Sequence, residues 1–263
     1  MGGNARRLFG LENIAGRVYC LATVANSPET SPGIDAAVLD LTAQWARIPK
    51  RAVILDFNGT LSDDEPLLLR VYTDMFREHL QWVLTPEHYF SVLAGLSDRE
   101  IIETVVAERI GGDASLVERL LGERRTRYCE LVDERSPILP ATVEMVLGVH
   151  GSGLPLAIVT GAQRVDVEFV LARSPLSGLF SVIVTEEDVT TGKPSPEGFV
   201  IAADELGIDA SGILVFEDSL HGVVAAHAAG MRCIGVEGTK TRAELAGLAD
   251  GVVARLEPGI FGA

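Results

Sequence analysis

From position 52 onward the chain repeats one pattern: a short, unbroken run of branched apolar residues, then a stretch of helical periodicity. The runs occupy 52–55, 156–159, 182–184, 213–216, 233–236 and 251–253. A sheet wetted on one face alternates apolar and polar residues along each strand, whereas a run without polar interruption suits a strand covered on both faces. Helices are predicted between the runs at 165–172, 197–206 and 222–229. The expected fold class is therefore α/β, with a parallel sheet between helical layers. Hydrophobic residues make up 47% of the chain and aromatics only 6%, so the core must be aliphatic.

One long stretch breaks the alternation. Between 66 and 137 the spacing is helical, with no strand pattern; Leu68, Val71, Tyr72, Met75, Phe76 and Leu80 share a face. Thr85 before Pro86 reads as a helix start. Ser97 with Glu100 fits a capping box, and Asp113 can cap a further helix. Residues 1–50 carry no catalytic pattern; 18–24 reads as a strand, 26–33 as a loop and 34–46 as a helix. The expected division is an N-terminal extension over 1–50, a core over 51–63 and 139–263, and a helical cap over 64–138.

The formal net charge of −15 repels nucleic acid and anionic membrane, so neither is an expected partner. Cys20, Cys129 and Cys233 form an odd set without CxxC spacing, which predicts neither a disulfide nor a cysteine metal site and suits a reducing cytoplasm. No run approaches the ~18 apolar residues of a membrane span. Arg6 and Arg7 resemble a twin-arginine signal, but Glu12, Asn13 and Arg17 interrupt what should be its apolar stretch. A cytoplasmic protein is expected.

The chemistry concentrates where the apolar runs end. The first run leads into Asp56, with Asn58 two positions on and Gly59 after it. In open α/β sheets ligands bind at the carboxyl ends of strands, and alternation along an extended end points Asp56 and Asn58 the same way. The second run ends in Thr160-Gly161, a hydroxyl and a backbone N–H able to cradle a phosphate at a helix start. Lys193, one of only three lysines, precedes Ser195 and Pro196, which read as a helix cap and first helical residue. The fourth run ends in Glu217-Asp218, two hard oxygen ligands suited to Mg²⁺.

This ordered set resembles the haloacid dehalogenase-like superfamily. The segment 56–65, DFNGTLSDDE, is similar to its first motif, usually DxDGTLxDSE; Thr160, Lys193 and Glu217-Asp218 match the second, third and fourth motifs. The phrases TGKPSPEGF and FEDSLHGVVAAHAAGM look like the branch holding β-phosphoglucomutase and phosphoglycolate phosphatase, and the helical insertion sits where that branch carries its cap. The resemblance covers about 51 to the C-terminus. It implies a Rossmann-like core and a Mg²⁺-dependent phosphohydrolase for a small phosphorylated metabolite. In that reading Asp56 becomes an aspartyl phosphate. Asp56, the Asn58 backbone carbonyl, Asp218 and Glu217 are the candidate metal ligands. Thr160 and Lys193 hold the transferring oxygens, with Gly59, Thr60, Gly161 and Arg99 as further candidates for phosphate or substrate binding.

The family's phosphatases usually carry Asp at the position of Asn58, where it exchanges protons with the leaving oxygen and with water. An amide cannot do so, and such transfer is typically worth ~10²–10⁴-fold in rate. Three readings stay open: a substitution that stalls turnover, a substrate with a good leaving group, or a proton supplied by Asp63, Asp64 or a cap residue. Asn58→Asp is expected to raise turnover of a sugar phosphate. Phosphonatase chemistry is disfavoured because 64–138 contains no lysine, and dehalogenase chemistry because Gly59-Thr60 follows the phosphatase pattern. A phosphosugar mutase and a phospho-ligand-binding regulator on the same fold are the alternatives. Arg124, Arg125 and Arg127 are expected to form a solvated helix face, and His221 to be structural.

Overall fold

In the computed structural model the described residues are 34–262, together with the backbone of 11–14 and 17–20. The two short segments form an antiparallel hairpin, β1 (Leu11–Ile14) and β2 (Arg17–Cys20). Part of the strand expected over 18–24 is therefore present, while 21–24 and the loop expected over 26–33 lie outside the described residues.

The main body contains one six-stranded, all-parallel sheet whose strands, from one edge to the other, start at 182, 156, 52, 213, 232 and 251. Its strands are β3 (Ala52–Leu55), β4 (Leu156–Val159), β5 (Val182–Val184), β6 (Ile213–Glu217), β7 (Arg232–Val236) and β8 (Gly251–Val253). All six predicted runs are strands. Alternate residues feed two separate cores. Val53, Leu55, Ile158, Phe216 and Ile234 face helices α1 (Ala36–Trp45), α6 (Pro140–Gly151) and α7 (Arg164–Leu171). Ile54, Ala157, Val184, Val215 and Cys233 face α8 (Glu197–Leu206), α9 (Leu220–Ala228) and α10 (Arg242–Leu245). Burial on both faces is why polar residues in these strands are confined to the ends, Glu217 of β6 and Arg232 of β7; each fully buried Val, Leu or Ile contributes roughly 1.5–3 kcal/mol.

Between β3 and β4 the chain inserts α2 (Glu65–Leu80), a short α3 (Pro86–His88) running into a π-helical turn at Tyr89–Leu93, α4 (Asp98–Ile110) and α5 (Ala114–Glu134). The caps read from sequence form. Thr85 accepts from the His88 N–H, Ser97 and Glu100 close a capping box, and Asp113 accepts from the Leu116 N–H. One expectation shifts: α8 begins at Glu197, with Pro196 at its cap and Ser195 outside the helix. Ser195 Oγ still accepts from the Glu197 N–H at 3.3 Å, so the hydroxyl serves the helix start from one position earlier than expected. No described helix is long and apolar enough to cross a membrane.

Candidate active site

β3 hydrogen-bonds to β4 on one edge and β6 on the other, so the residues that follow these three strands emerge side by side. The chain winds outward from β3 through β4 to β5, then returns to β6 on the opposite flank. That reversal is the point where an open α/β sheet leaves a crevice at its carboxyl edge. Asp56, Thr160, Glu217 and Asp218 all lie there, and all are buried.

The backbone of the crevice is shaped to bring the carboxylates together. Asp56 stays in register through its N–H, which donates to Phe216 O at 3.0 Å. Gly59 then turns with φ +73°, and a Cβ on it would lie 2.0 Å from Asp218 Oδ2. Gly222, in the first turn of α9, has the same constraint: a Cβ there would lie 1.9 Å from Glu217 Oε1. Glycine is required at both positions because carboxylates occupy the space a side chain would take.

Lys193 is the one cation hydrogen-bonded to these carboxylates among the described residues. Its Nζ lies 2.5 Å from Asp56 Oδ1 and 3.0 Å from Val159 O, and it also donates to Glu217 Oε1. Glu217 Oε2 accepts from the Ser219 N–H and hydroxyl, so both its oxygens are engaged. Asp218 has less: Thr60 Oγ1 donates to its Oδ1 at 3.4 Å. Burial, opposed by Lys193, pushes Asp56 up to about 7. Burial and the charges of Asp56 and Glu217 push Asp218 well above the usual carboxylate range. Although burial works against its charge, Lys193 is held above its ordinary value by the Asp56 and Glu217 carboxylates.

Three carboxylates face one ammonium. An uncompensated buried charge costs several kcal/mol, so the cluster is short of positive charge. Asp56, Glu217 and Asp218 each present an oxygen within 4.8 Å of the others, an all-oxygen donor set that fits a hard divalent cation such as Mg²⁺.

Beside the carboxylates, Thr160 Oγ1 accepts from the Ala162 N–H at 3.0 Å, which leaves its own proton free to donate. Among the described backbone hydrogen bonds none uses the Gly161 N–H. Both groups stand just before α7 and line a cavity of about 590 Å³ shared with Asp56, Asn58 and Lys193. The inserted helices form its opposite wall. Arg99 lines it but is exposed and already paired with Glu103 and Glu118, the latter at 2.8 Å.

Asn58 lines the cavity and donates from Nδ2 to Asp64 Oδ2 at 2.9 Å. Of the other proton sources considered from sequence, Asp63 is exposed and does not line the cavity. Asp64 is fully buried behind Asn58, where burial, opposed by hydrogen bonds from Tyr128, Ser62 and Asn58, pushes it up to about 6. The third source considered, a cap residue, was not named from sequence; the structure points to Glu65. It opens α2, lines the cavity and accepts from Tyr89 OH at 2.7 Å. Burial, with the charges of Asp64 and Asp56 adding to it, pushes Glu65 up to about 7. Its place at the end of the first motif was the available signal.

The expected solvated arginine face needs correction. Arg124 is 2% exposed and sits between Asp98 of α4, 3.0 Å from Nε, and Asp166 of α7. Arg127 is half-buried and pairs with Glu78 and Glu123, whereas Arg125 is exposed at the cavity rim. His221 is exposed and does not line the cavity.

The sequence pattern of haloacid dehalogenase-like hydrolases matches residues 53–236. Protein CbbY of Rhodobacter capsulatus is 29% identical over 202 residues, covering 74% of this chain and 88% of its own length. Validoxylamine A 7'-phosphate phosphatase of Streptomyces hygroscopicus subsp. limoneus is 28% identical over 197 residues, covering 74% and 90%. Among solved structures, an aspartate-to-asparagine mutant of CbbY from Rhodobacter sphaeroides in complex with xylulose-(1,5)-bisphosphate superposes with a TM-score of 0.72. It is 27% identical, covering 81% of this chain and 97% of that one. With four motifs gathered in one crevice and a match over more than half its length, the chain belongs to the haloacid dehalogenase-like hydrolase family, as a phosphohydrolase of its β-phosphoglucomutase and phosphoglycolate phosphatase-like branch.

Proposed function

We propose that this protein is a Mg²⁺-dependent phosphatase that passes the phosphoryl group of a small phosphorylated metabolite first to Asp56 and then to water. The observation that carries the reading is the meeting of Asp56, Lys193 and Asp218 in one crevice, with more negative charge than Lys193 can balance. Asp56, Asp218 and the backbone carbonyl of Asn58 would hold the cation, and Glu217, with both oxygens engaged, orients Lys193. When bound there, Mg²⁺ would neutralise charge that otherwise opposes the approach of a phosphate.

In the first half-reaction an Asp56 oxygen attacks phosphorus and the bond to the leaving oxygen breaks. Lys193, the Thr160 hydroxyl and the Gly161 N–H hold the transferring oxygens, a preorganised set of donors aimed where charge accumulates. Glu65, on the wall opposite the strand ends, gives its proton to the leaving oxygen. A carboxyl held near neutrality can act both as acid and, once ionised, as base. This places on Glu65 the proton exchange that Asn58 cannot perform. Residues 51–63 and 139–263 supply the nucleophile, the cation ligands and the phosphate donors, and the segment 64–138 supplies Glu65 and covers the site against bulk water. The names of the relatives support a small phosphorylated substrate, since one is a phosphatase of a phosphorylated metabolite and another holds a sugar bisphosphate.

The test is incubation with p-nitrophenyl phosphate or acetyl phosphate. Phosphate release that requires Mg²⁺ is expected. Tight ligand binding without release would favour a phospho-ligand-binding protein on the same fold instead.

A further inference from the structure

Positions 58 and 64 are where the first motif departs from the pattern it resembles: Asn replaces Asp at 58, and Asp replaces Ser at 64. In the structure these two departures touch. Asp64 has no exposed surface, and its Oδ2 accepts from Asn58 Nδ2 at 2.9 Å, Ser62 Oγ at 2.7 Å and Tyr128 OH at 2.5 Å. Three donors converge on one oxygen, so Asp64 acts as a pure acceptor, and the amide beside it must turn its nitrogen inward. Asn58 lines the cavity and Asp64 does not, and among the described residues no donor reaches Asn58 Oδ1.

We propose that Asp64 is a positioning residue. It fixes the sense of the Asn58 amide so that Oδ1 faces the phosphate pocket as a permanent acceptor and orients the attacking water. This rests on the phosphatase reading above. In the second half-reaction the water oxygen forms its bond to phosphorus while the bond from phosphorus to Asp56 breaks and returns its electron pair to the carboxylate. One water proton passes to Glu65, ionised in the first half-reaction; the other is held in the hydrogen bond to Asn58 Oδ1. An amide in this role orients a nucleophile without exchanging a proton, as glutamine does for water in nucleotide hydrolysis.

The pairing changes the expectation for Asn58→Asp. The new carboxylate would occupy the place of a donor, 2.9 Å from a buried carboxylate, where two like charges oppose each other. Activation therefore requires exchanging both residues together. Asp64 makes no side-chain capping bond to α2, so its replacement spares the start of that helix.

The experiment compares wild type, Asp64→Ser, Asn58→Asp and the double variant in steady state with p-nitrophenyl phosphate and Mg²⁺, with quenched samples assayed for phosphoenzyme. Asp64→Ser is expected to lower kcat roughly 10²-fold, the scale of a misplaced reacting group, with KM little changed and phosphoenzyme accumulating. Asn58→Asp alone stays at or below wild type, and the double variant exceeds it. The Asn58 side-chain amide resonance, identified by its loss in Asn58→Asp, marks the hydrogen bond and moves in Asp64→Ser. If Asp64→Ser does not fold, Asp64→Asn, isosteric but free to present either atom, takes its place. A folded Asp64 variant with wild-type kcat overturns the proposal, as does full activation by Asn58→Asp alone. Turnover by wild type with no phosphoenzyme overturns the Asp56 reading instead, and this inference with it.

Discussion

Among the described residues, two clusters of buried charge are built for opposite ends. At the tips of β3 and β6 one ammonium, Lys193, faces Asp56, Glu217 and Asp218. Among α4, α5 and α7 one guanidinium, Arg124, is clasped by Asp98 and Asp166, with Tyr72 OH donating to Asp98 and the Tyr128 ring 4.6 Å away. Of the Arg124 cluster only Asp98 reaches the cavity, with its carboxylate tied to Arg124 and Tyr72, whereas Lys193, Asp56 and Asp218 line it and only Glu217 of their cluster does not. Burial of charge therefore does not by itself mark a functional site. What marks it is excess charge left facing a space that a ligand can enter. The Arg124 cluster joins an inserted helix to a helix of the core; the Lys193 cluster has an uncompensated donor set that the proposed Mg²⁺ and phosphate would complete.

Substitutions at the two clusters should fail in different currencies. Short of replacing Asp56 itself, the largest effect is expected from Glu65→Gln, on the cavity wall beside the Lys193 cluster: loss of roughly 10²–10⁴-fold in kcat/KM with thermal stability retained. In the proposed role Glu65 is an acid pushed up to about 7 by burial, so wild-type kcat/KM should decline as pH rises through about 7, and this alkaline limb should vanish in the variant. A limb that persists unchanged would remove Glu65 from the proton path.

Next comes the pair Arg124→Met and Asp218→Asn, compared by thermal denaturation without metal. Removing the clasped guanidinium leaves two buried carboxylates unpaired, a loss of about 3–5 kcal/mol. Removing one carboxylate from the open cluster relieves repulsion, so the metal-free stability of Asp218→Asn should match or exceed wild type, while its stabilisation by Mg²⁺ disappears. Equal destabilisation by both variants would break the distinction.

The parts legible in the sequence were those set by local pattern. Strands covered on both faces announce themselves as unbroken apolar runs, so Ala52–Leu55, Leu156–Val159 and Val182–Val184 have the predicted bounds. The capping box at Ser97 and Glu100 is equally local. The candidate site was legible because each element ends in its polar residue and the fold rule places those ends together. Long-range pairing was not legible. Arg124 reads as one of a charged triplet on a helix surface, and its partners Asp98 and Asp166 lie on other helices far along the chain. Glu65 was hidden for a related reason: its carboxyl matters because Tyr89, from a separate helical turn, holds it at the cavity. The contact between Asn58 and Asp64 depends on the turn at Gly59, which no periodicity encodes.

The most direct measurement is mass spectrometry of the peptide carrying Asp56, quenched during turnover of acetyl phosphate with Mg²⁺. Phosphate on Asp56 is predicted, rising and decaying with the reaction and missing in Asp56→Asn, which should have no turnover. Sustained phosphate release with Asp56 never modified, or from Asp56→Asn itself, would contradict the account.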